Sequence, residues 1–117
     1  MQIQNLRNDC FVTSDTHSSF LRLSISEKEV YLFPWGYFLG ASFLQHSEEE
    51  VLELAFMHSN AKIIGKNLLS LVNSIEQSKL VTVRPSSNPE YTSLSDVFVA
   101  SIEVSSKEDS FEPRSFN

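Results

Sequence analysis

Apolar residues change their spacing twice within residues 51–84, and the predicted fold is built around this segment. Every second side chain of residues 52–56 is large and apolar, which is the period of a strand with one buried face. We predict a strand here, a two-residue turn at residues 59–60, and a second strand over residues 61–64 that pairs with the first.

A helix over residues 48–58 is the alternative to the first of these strands. Ser47 and Glu50 have the spacing of a capping box, and glutamates favour the first turn of a helix. The alternation in residues 51–56 favours a strand instead, and residues 61–64 need a pairing partner. We therefore predict strand, turn and strand.

The next segment has the period of a helix. Four apolar residues recur at one-face helical spacing: Leu68, Leu71, Val72 and Ile75. Asn67 precedes them and is suited to cap the helix through its side-chain oxygen. Gly65 allows a sharp entry into the helix. The apolar face needs a sheet to cover it.

Alternation before this segment predicts three further strands. Residues 20–25 and 30–33 are separated by a polar turn and predict a hairpin. Pro34 ends the second strand because proline cannot donate to a ladder. Residues 37–44 are predicted to form the next strand, with Gly40 as a bulge or a point of close backbone approach.

Three further strands, one near the start of the sequence and two after the helix, complete the predicted sheet. We predict a short strand over residues 11–13, and one over residues 80–84 with Val81 and Val83 on the same face. The last strand covers residues 97–104, and its expected inward side chains are Phe98, Ala100, Ile102 and Val104. This order predicts an α+β fold: a strongly bent antiparallel sheet or small open barrel with one main helix packed on it.

A chain of 117 residues corresponds to one domain. We assign residues 1–17 to a partly ordered N-terminal arm and residues 18–104 to the single α+β domain. Residues 105–117 are polar, contain a proline, and are expected to form a flexible tail.

Charge and cysteine content exclude some classes of partner. Fifteen acidic and nine scattered basic residues give a net charge of −6, which argues against binding to nucleic acid. No stretch is long and apolar enough to span a membrane, so no membrane partner is expected. One cysteine, Cys10, cannot form an internal disulfide, and a cytoplasmic location follows as the expectation.

Residues 53–84 contain a series of short motifs around the predicted helix. An apolar strand is followed by His58-Ser59, the run IIGKNL at residues 63–68, the helix, and VTVR at residues 81–84. In this series the segment resembles small bacterial domains of unknown function that share a strand, an Ile/Val-x-Gly-Lys/Arg-Asn-Leu element, a short helix and a strand. The resemblance covers under a third of the chain and implies no catalytic residue.

The residue types that carry catalysis or bind metal are widely spaced. His17, His46 and His58 lie 29 and 12 residues apart, unlike the close ligand pairs of zinc sites. No catalytic motif surrounds Cys10, and Gly65-Lys66 is only a fragment of a phosphate-binding loop. We expect no enzymatic activity, no metal and no cofactor.

Two stretches remain as candidate contact surfaces. The densest charge cluster consists of four glutamates: Glu48, Glu49, Glu50 and Glu53. These glutamates form either a solvated face or a patch that binds a basic partner. The run FPWGYF at residues 33–38 is either core or a partner surface formed by Phe33, Trp35 and Tyr37. We expect Trp35, flanked by Tyr37, to lie at a protein contact, because it occupies a corner between Pro34 and Gly36.

From these observations we predict that the protein is a binding or regulatory module that acts through protein–protein contact. One form of this contact is a homodimer that pairs through an exposed sheet edge. One alternative is an acidic inhibitor that mimics nucleic acid, which needs its glutamates along one face. The other is a small-molecule-binding or hydrolytic domain that uses the concavity of the sheet.

Overall fold

The computed structural model describes residues 10–46, 48–86 and 97–107. Within these residues the chain forms eight strands and one α-helix, in the following order: β1 (Phe11–Thr13), β2 (Phe20–Ser26), β3 (Glu29–Pro34), a 3₁₀ turn (Trp35–Tyr37), β4 (Phe38–His46), β5 (Glu49–Phe56), β6 (Ser59–Lys66), α1 (Leu69–Glu76), β7 (Leu80–Val83) and β8 (Phe98–Ser106). None of the helices described is long and apolar enough to cross a membrane.

The described strands form two four-stranded sheets, and neither closes into a barrel. Sheet A has the order β1-β7-β2-β3, and sheet B has the order β4-β5-β6-β8. Neighbours are antiparallel except β2 and β7, which run parallel. The α+β class is confirmed in its coarse form, with sheet predominating. The expected single bent sheet or open barrel is wrong, because the strands pair in two separate groups. The chain passes between the sheets at the 3₁₀ turn, again through α1 from β6 to β7, and once more between β7 and β8.

The predicted strand-turn-strand over residues 51–64 is confirmed, and the alternative helix over residues 48–58 is wrong. The residues of β5 expected to face the core are all buried: Leu52, Leu54 and Phe56. The turn, however, lies at residues 57–58 rather than 59–60, because β6 already begins at Ser59 and Ala55 is opposite Asn60.

Bulges displace the inward faces of two other strands. Ala100 is an extra residue in β8, since Ile64 is opposite Ser101 while Gly65 is opposite Val99. Beyond such a bulge the alternation changes side. Val97 and Val99 are therefore buried in place of the predicted Phe98 and Ala100, whereas Ile102 is buried as predicted.

A similar bulge at Val81 in β7 makes Leu80 and Val83 the buried pair, instead of Val81 and Val83 sharing one face. The bulge predicted at Gly40 lies one residue earlier, with Leu39 as the extra residue between Phe38 and Gly40. The alternative of a close approach at Gly40 is wrong, because a Cβ there would meet nothing within 4 Å. Within the predicted arm, residues 11–13 form β1 and pair with β7. Residues 1–9 and 108–117 of the predicted arm and tail lie outside the described residues.

The helix buries the predicted face. Leu68 and Leu71 are fully buried, and Val72 and Ile75 pack partly buried against the same core. The predicted cap at Asn67 is wrong, because the N-cap position is Leu68 and its side chain forms no capping bond. Asn67 instead takes a left-handed conformation with φ of 57°, which asparagine tolerates better than most residues.

Candidate functional site

The aromatic run at residues 33–38 lies where the chain passes from sheet A to sheet B. The ring of Phe33 stacks on Phe56 with 4.6 Å between centroids, and Trp35 meets Phe38 edge-on at 5.1 Å. Phe38 also contacts Phe56, at 5.5 Å. Aromatic pairs at these separations add to the stabilisation from burial. The run therefore joins the two sheets at this end of the core.

The three residues predicted to contact a partner differ in exposure. Phe33 is buried, and Trp35 is partly buried against the core. The indole N–H of Trp35 donates to the carbonyl oxygen of Leu80 at 3.2 Å. Tyr37 is 47% exposed, and its ring lies edge-on to His58 with 5.9 Å between centroids. Of the three, Tyr37 presents the most surface to solvent.

Exposed apolar side chains concentrate along β4. Of the ten large apolar residues that are exposed among those described, five lie on β4 or beside its start: Tyr37, Leu39, Phe43, Leu44 and Met57. Met57 joins this group because its backbone N–H donates to the carbonyl oxygen of Tyr37 at 2.9 Å. Of these five residues, only Tyr37 was predicted from the sequence as a contact residue. The available signal was that residues 38–46 contain no Lys, Arg, Asp or Glu.

Within the described chain, β4 is an edge strand of sheet B. It has nine residues and no lysine, arginine, aspartate, glutamate or proline. Natural edge strands are usually protected from pairing by charges, prolines, bulges or short length. The other three described edges have such protection: β1 has three residues, β3 contains Glu29 and Pro34, and β8 has Glu103 and the bulge at Ala100.

The bulge in β4 lies at Leu39, close to its start, and leaves residues 40–46 in regular register with β5. The side chains of this regular part alternate between two faces. Ala41 and Phe43 are opposite the buried Leu54 and Leu52, so they point to the core side. Phe43 is nevertheless 37% exposed, so the core side of this edge is incompletely covered.

The opposite face of sheet B, which we call the outer face, has an open hollow of about 690 Å³ beside β4. One row of cross-strand neighbours on this face is polar: Ser42, Glu53, Lys62 and Glu103. The adjacent row is composed of small residues: Gly40, Ala55, Asn60 and Ser105. Lys62 Nζ lies 4.0 Å from Glu53 Oε2, and both side chains are about half exposed. Such a pair contributes about 0–1 kcal/mol.

The four glutamates of the predicted acidic patch have different surroundings. Glu48 and Glu49 are exposed at the connection between β4 and β5. Glu50 Oε1 instead accepts a hydrogen bond from the backbone N–H of Leu68, at 2.8 Å, and Glu53 lies beside Lys62. Two of the four thus have partners within the chain.

The carboxylate of Glu50 lies at the start of α1, where unpaired N–H groups and the helix dipole favour a negative charge. This arrangement bears on the phosphate-binding fragment at Gly65-Lys66. Gly65 is a buried residue of β6, and the N-terminus of α1 nearby is already in contact with the carboxylate of Glu50.

The histidines and the cysteine are not brought together. His17, His46 and His58 are each exposed, on a loop, on β4 and at the turn after β5. Cys10 is buried, and its thiol lies 3.6 Å from the carbonyl oxygen of Val97. Across the described ranges, no three His, Cys, Asp or Glu side chains are grouped so that they could hold a metal ion.

No protein-family model, curated protein or solved structure matches this chain. The resemblance of residues 53–84 to small bacterial domains stays a prediction. Function is therefore inferred from the contacts and exposed surfaces of the chain itself.

Proposed function

We propose that this chain is a non-catalytic binding or regulatory module that acts by protein–protein contact at the free edge of β4. The observation that carries the proposal is a nine-residue, uncharged edge strand with exposed apolar side chains beside and along it. An edge strand of this kind can accept another strand, because its outward N–H and C=O groups supply a row of hydrogen bonds.

Specificity in strand addition comes from the side chains that flank the backbone bonds. On β4 these side chains point alternately to the core side, as Phe43 does, and to the outer face, as Leu44 does. An added strand would cover both. Leu39 is 63% exposed at the bulge and would lie at one end of the contact.

We propose the cytoplasm as the compartment of this module. The support is that the only cysteine of the chain, Cys10, is buried and forms no disulfide. A protein that is stable without disulfides is typical of a reducing compartment.

The proposal is tested by placing a photo-crosslinking amino acid at Phe43 in the host cell. We expect protein adducts from Phe43 and none from the matched position Ser105, an exposed residue on the β8 edge. A second substitution, Leu44→Lys, should abolish the adducts, because it places an unpaired charge in the contact. Adducts should persist with Lys62→Gln, which changes the outer face away from the edge. Folded protein that gives no adducts at Phe43 would overturn the proposal.

A small-molecule-binding function is the second candidate, and the hollow of about 690 Å³ supports it. Its size is within the range of ligand pockets, and its wall includes polar groups of both charges: Ser42, Glu53, Lys62 and Glu103. Binding of small polar molecules should shift the NMR amide signals of Glu53 and Lys62. If a diverse set of such molecules leaves these signals unchanged, this candidate fails. The nucleic-acid mimic has less support, since Glu50 and Glu53 have internal partners.

A further inference from the structure

We propose that the strand accepted by the β4 edge is β4 of a second copy of this chain, paired antiparallel about a two-fold axis at Ser42. Ser42 is the midpoint of the nine-residue strand Phe38–His46. The inference rests on the proposed function and names its partner. It joins the two copies of sheet B into one continuous sheet.

Side-chain size along residues 40–44 is self-complementary under this symmetry. Antiparallel pairing about Ser42 places Gly40 opposite Leu44 of the second copy, and Ala41 opposite its Phe43. Ser42 meets its own equivalent. Each large side chain therefore faces a small one, which allows the two strands to approach without crowding. A closed two-fold interface requires this kind of self-complementarity.

In this pairing, the outer-face hollow accommodates the Leu44 side chain of the second copy. Gly40 lines the hollow and points to the same face as Leu44 of the second copy, which would lie opposite it. Leu44 is 47% exposed in the single chain and would be covered there. On the core side, Phe43 of each copy would pack beside Ala41 of the other. Leu44 on the outer face and Phe43 on the core side are thereby removed from water.

The charge distribution also favours the antiparallel arrangement. The strand itself has no Lys, Arg, Asp or Glu, so no like charges are opposed across the axis. Glu48 and Glu49 lie at one end of β4. The two-fold axis places Glu48 and Glu49 of the two copies at opposite ends of the paired strands.

A parallel pairing of two β4 strands would instead put both acidic ends side by side, roughly 5 Å apart across the sheet. In the antiparallel pair, the two copies of His46 are separated by eight steps of the ladder, or roughly 27 Å. Glu48 and Glu49 lie beside His46 at this end, so the glutamates of one copy are farther from those of the other than the Debye length of about 8 Å at physiological salt.

Thiol crosslinking tests the register directly. The natural Cys10 is buried, so Ser42→Cys adds the one accessible thiol among the described residues. A short bis-maleimide should link Ser42→Cys into covalent dimers at least tenfold more than Gln45→Cys on the same strand. Ser42 lies on the axis, whereas the two copies of residue 45 would be roughly 20 Å apart. Equal linking of the two variants, or more linking of Gln45→Cys, would overturn the proposed register.

Sedimentation equilibrium tests the dimer itself. Wild type should be dimeric, and Ala41→Lys should weaken association at least tenfold, since it places a charge opposite Phe43 of the second copy. The matched variant Ser105→Lys on the β8 edge should remain dimeric. Ala41 and Ser105 are both exposed, so thermal melting should show both variants folded. A wild type that stays monomeric at its highest soluble concentration overturns the inference.

The two proposals fail in different ways. If wild type is monomeric but Phe43 still gives adducts with a different protein, the second copy is the wrong partner and the β4 contact stands. If wild type is monomeric and Phe43 gives no adducts, both are overturned.

Discussion

Trp35 is surrounded by groups from both sheets. Its ring contacts Phe38 and Phe56, and its indole N–H donates to Leu80 in β7. Its backbone N–H donates to the carbonyl oxygen of Ser19, just before β2. At the residue scale, the Trp35 side chain connects Phe38 and Phe56 of sheet B to β7 of sheet A, and its backbone is bonded to the residue before β2.

We therefore expect Trp35→Ala to destabilise the chain by about 3 kcal/mol, the lower end for loss of a large aromatic from a core. Tyr37→Ala, two residues away, removes a ring that is about half exposed and should cost under about 1 kcal/mol. Chemical denaturation of the two variants measures the difference. If Trp35→Ala kept wild-type stability while association was lost, the sequence-based expectation of a contact residue would hold instead.

Gly65 is opposite the β8 bulge, and a Cβ built there would overlap the carbonyl oxygen of Phe98. Because the obstacle is backbone, it cannot move aside as a flexible side chain would. Gly65→Ala should thus lower the free energy of unfolding by about 1–3 kcal/mol, the usual cost of overpacking. Gly36→Ala is the control, since its Cβ would meet nothing within 4 Å. Equal melting temperatures for the two variants would contradict the close approach.

At the scale of elements, α1 depends on one narrow face. Leu71 is fully buried, while Leu69, in the first turn of the same helix, is 57% exposed. Leu71→Ala should cost about 2–5 kcal/mol, and Leu69→Ala much less, because only the former leaves a cavity. Urea denaturation of both variants provides the comparison. A cost below about 0.5 kcal/mol at Leu71 would mean that the helix does not pack as described.

The start of the helix is held by a residue from β5. The carboxylate of Glu50 accepts the N–H of Leu68, 18 residues later in the chain. Glu50→Ala should destabilise the protein by about 0.5–2 kcal/mol, the range for loss of a cap. Glu49→Ala, at an exposed neighbouring position, should change stability by less than about 0.5 kcal/mol. Equal effects in thermal melts would show that the bond contributes nothing measurable.

At the scale of the whole molecule, the net charge of −6 opposes binding to a polyanion. Lys62 also lies beside Glu53 rather than in a basic cluster. Fluorescence anisotropy with labelled duplex DNA and single-stranded RNA should therefore show no salt-sensitive binding. Micromolar affinity that falls steeply between low and physiological salt would contradict this expectation.

The β4 edge also follows from the organisation of the whole molecule. In the described residues the two sheets stay open and therefore have edges, whereas a closed barrel would have none. Three of the described edges are protected by short length, charge, proline or a bulge, and β4 is the least protected. The proposed contact surface is therefore a consequence of the sheet order.

Local alternation was enough to predict the strands around Leu23 and Leu54 and the helix face at Leu71, because side-chain direction repeats with the period of the element. It was not enough for residues 98–100, where a bulge in β8 reverses the alternation. A bulge depends on how two strands pair, and their pairing partners are distant in sequence. For the same reason, the cap of the helix was assigned to Asn67, while the bond comes from Glu50.

The sequence by itself determined the class of the fold, the burial of one helix face and the charge that argues against nucleic acid, since each depends on composition or on neighbours a few residues apart. Only the tertiary structure decided that the strands divide into two sheets, that Phe33 and Trp35 pack toward the core, and that β4 lies at an edge. These outcomes depend on which strands pair, and pairing is set by contacts between segments far apart in the chain.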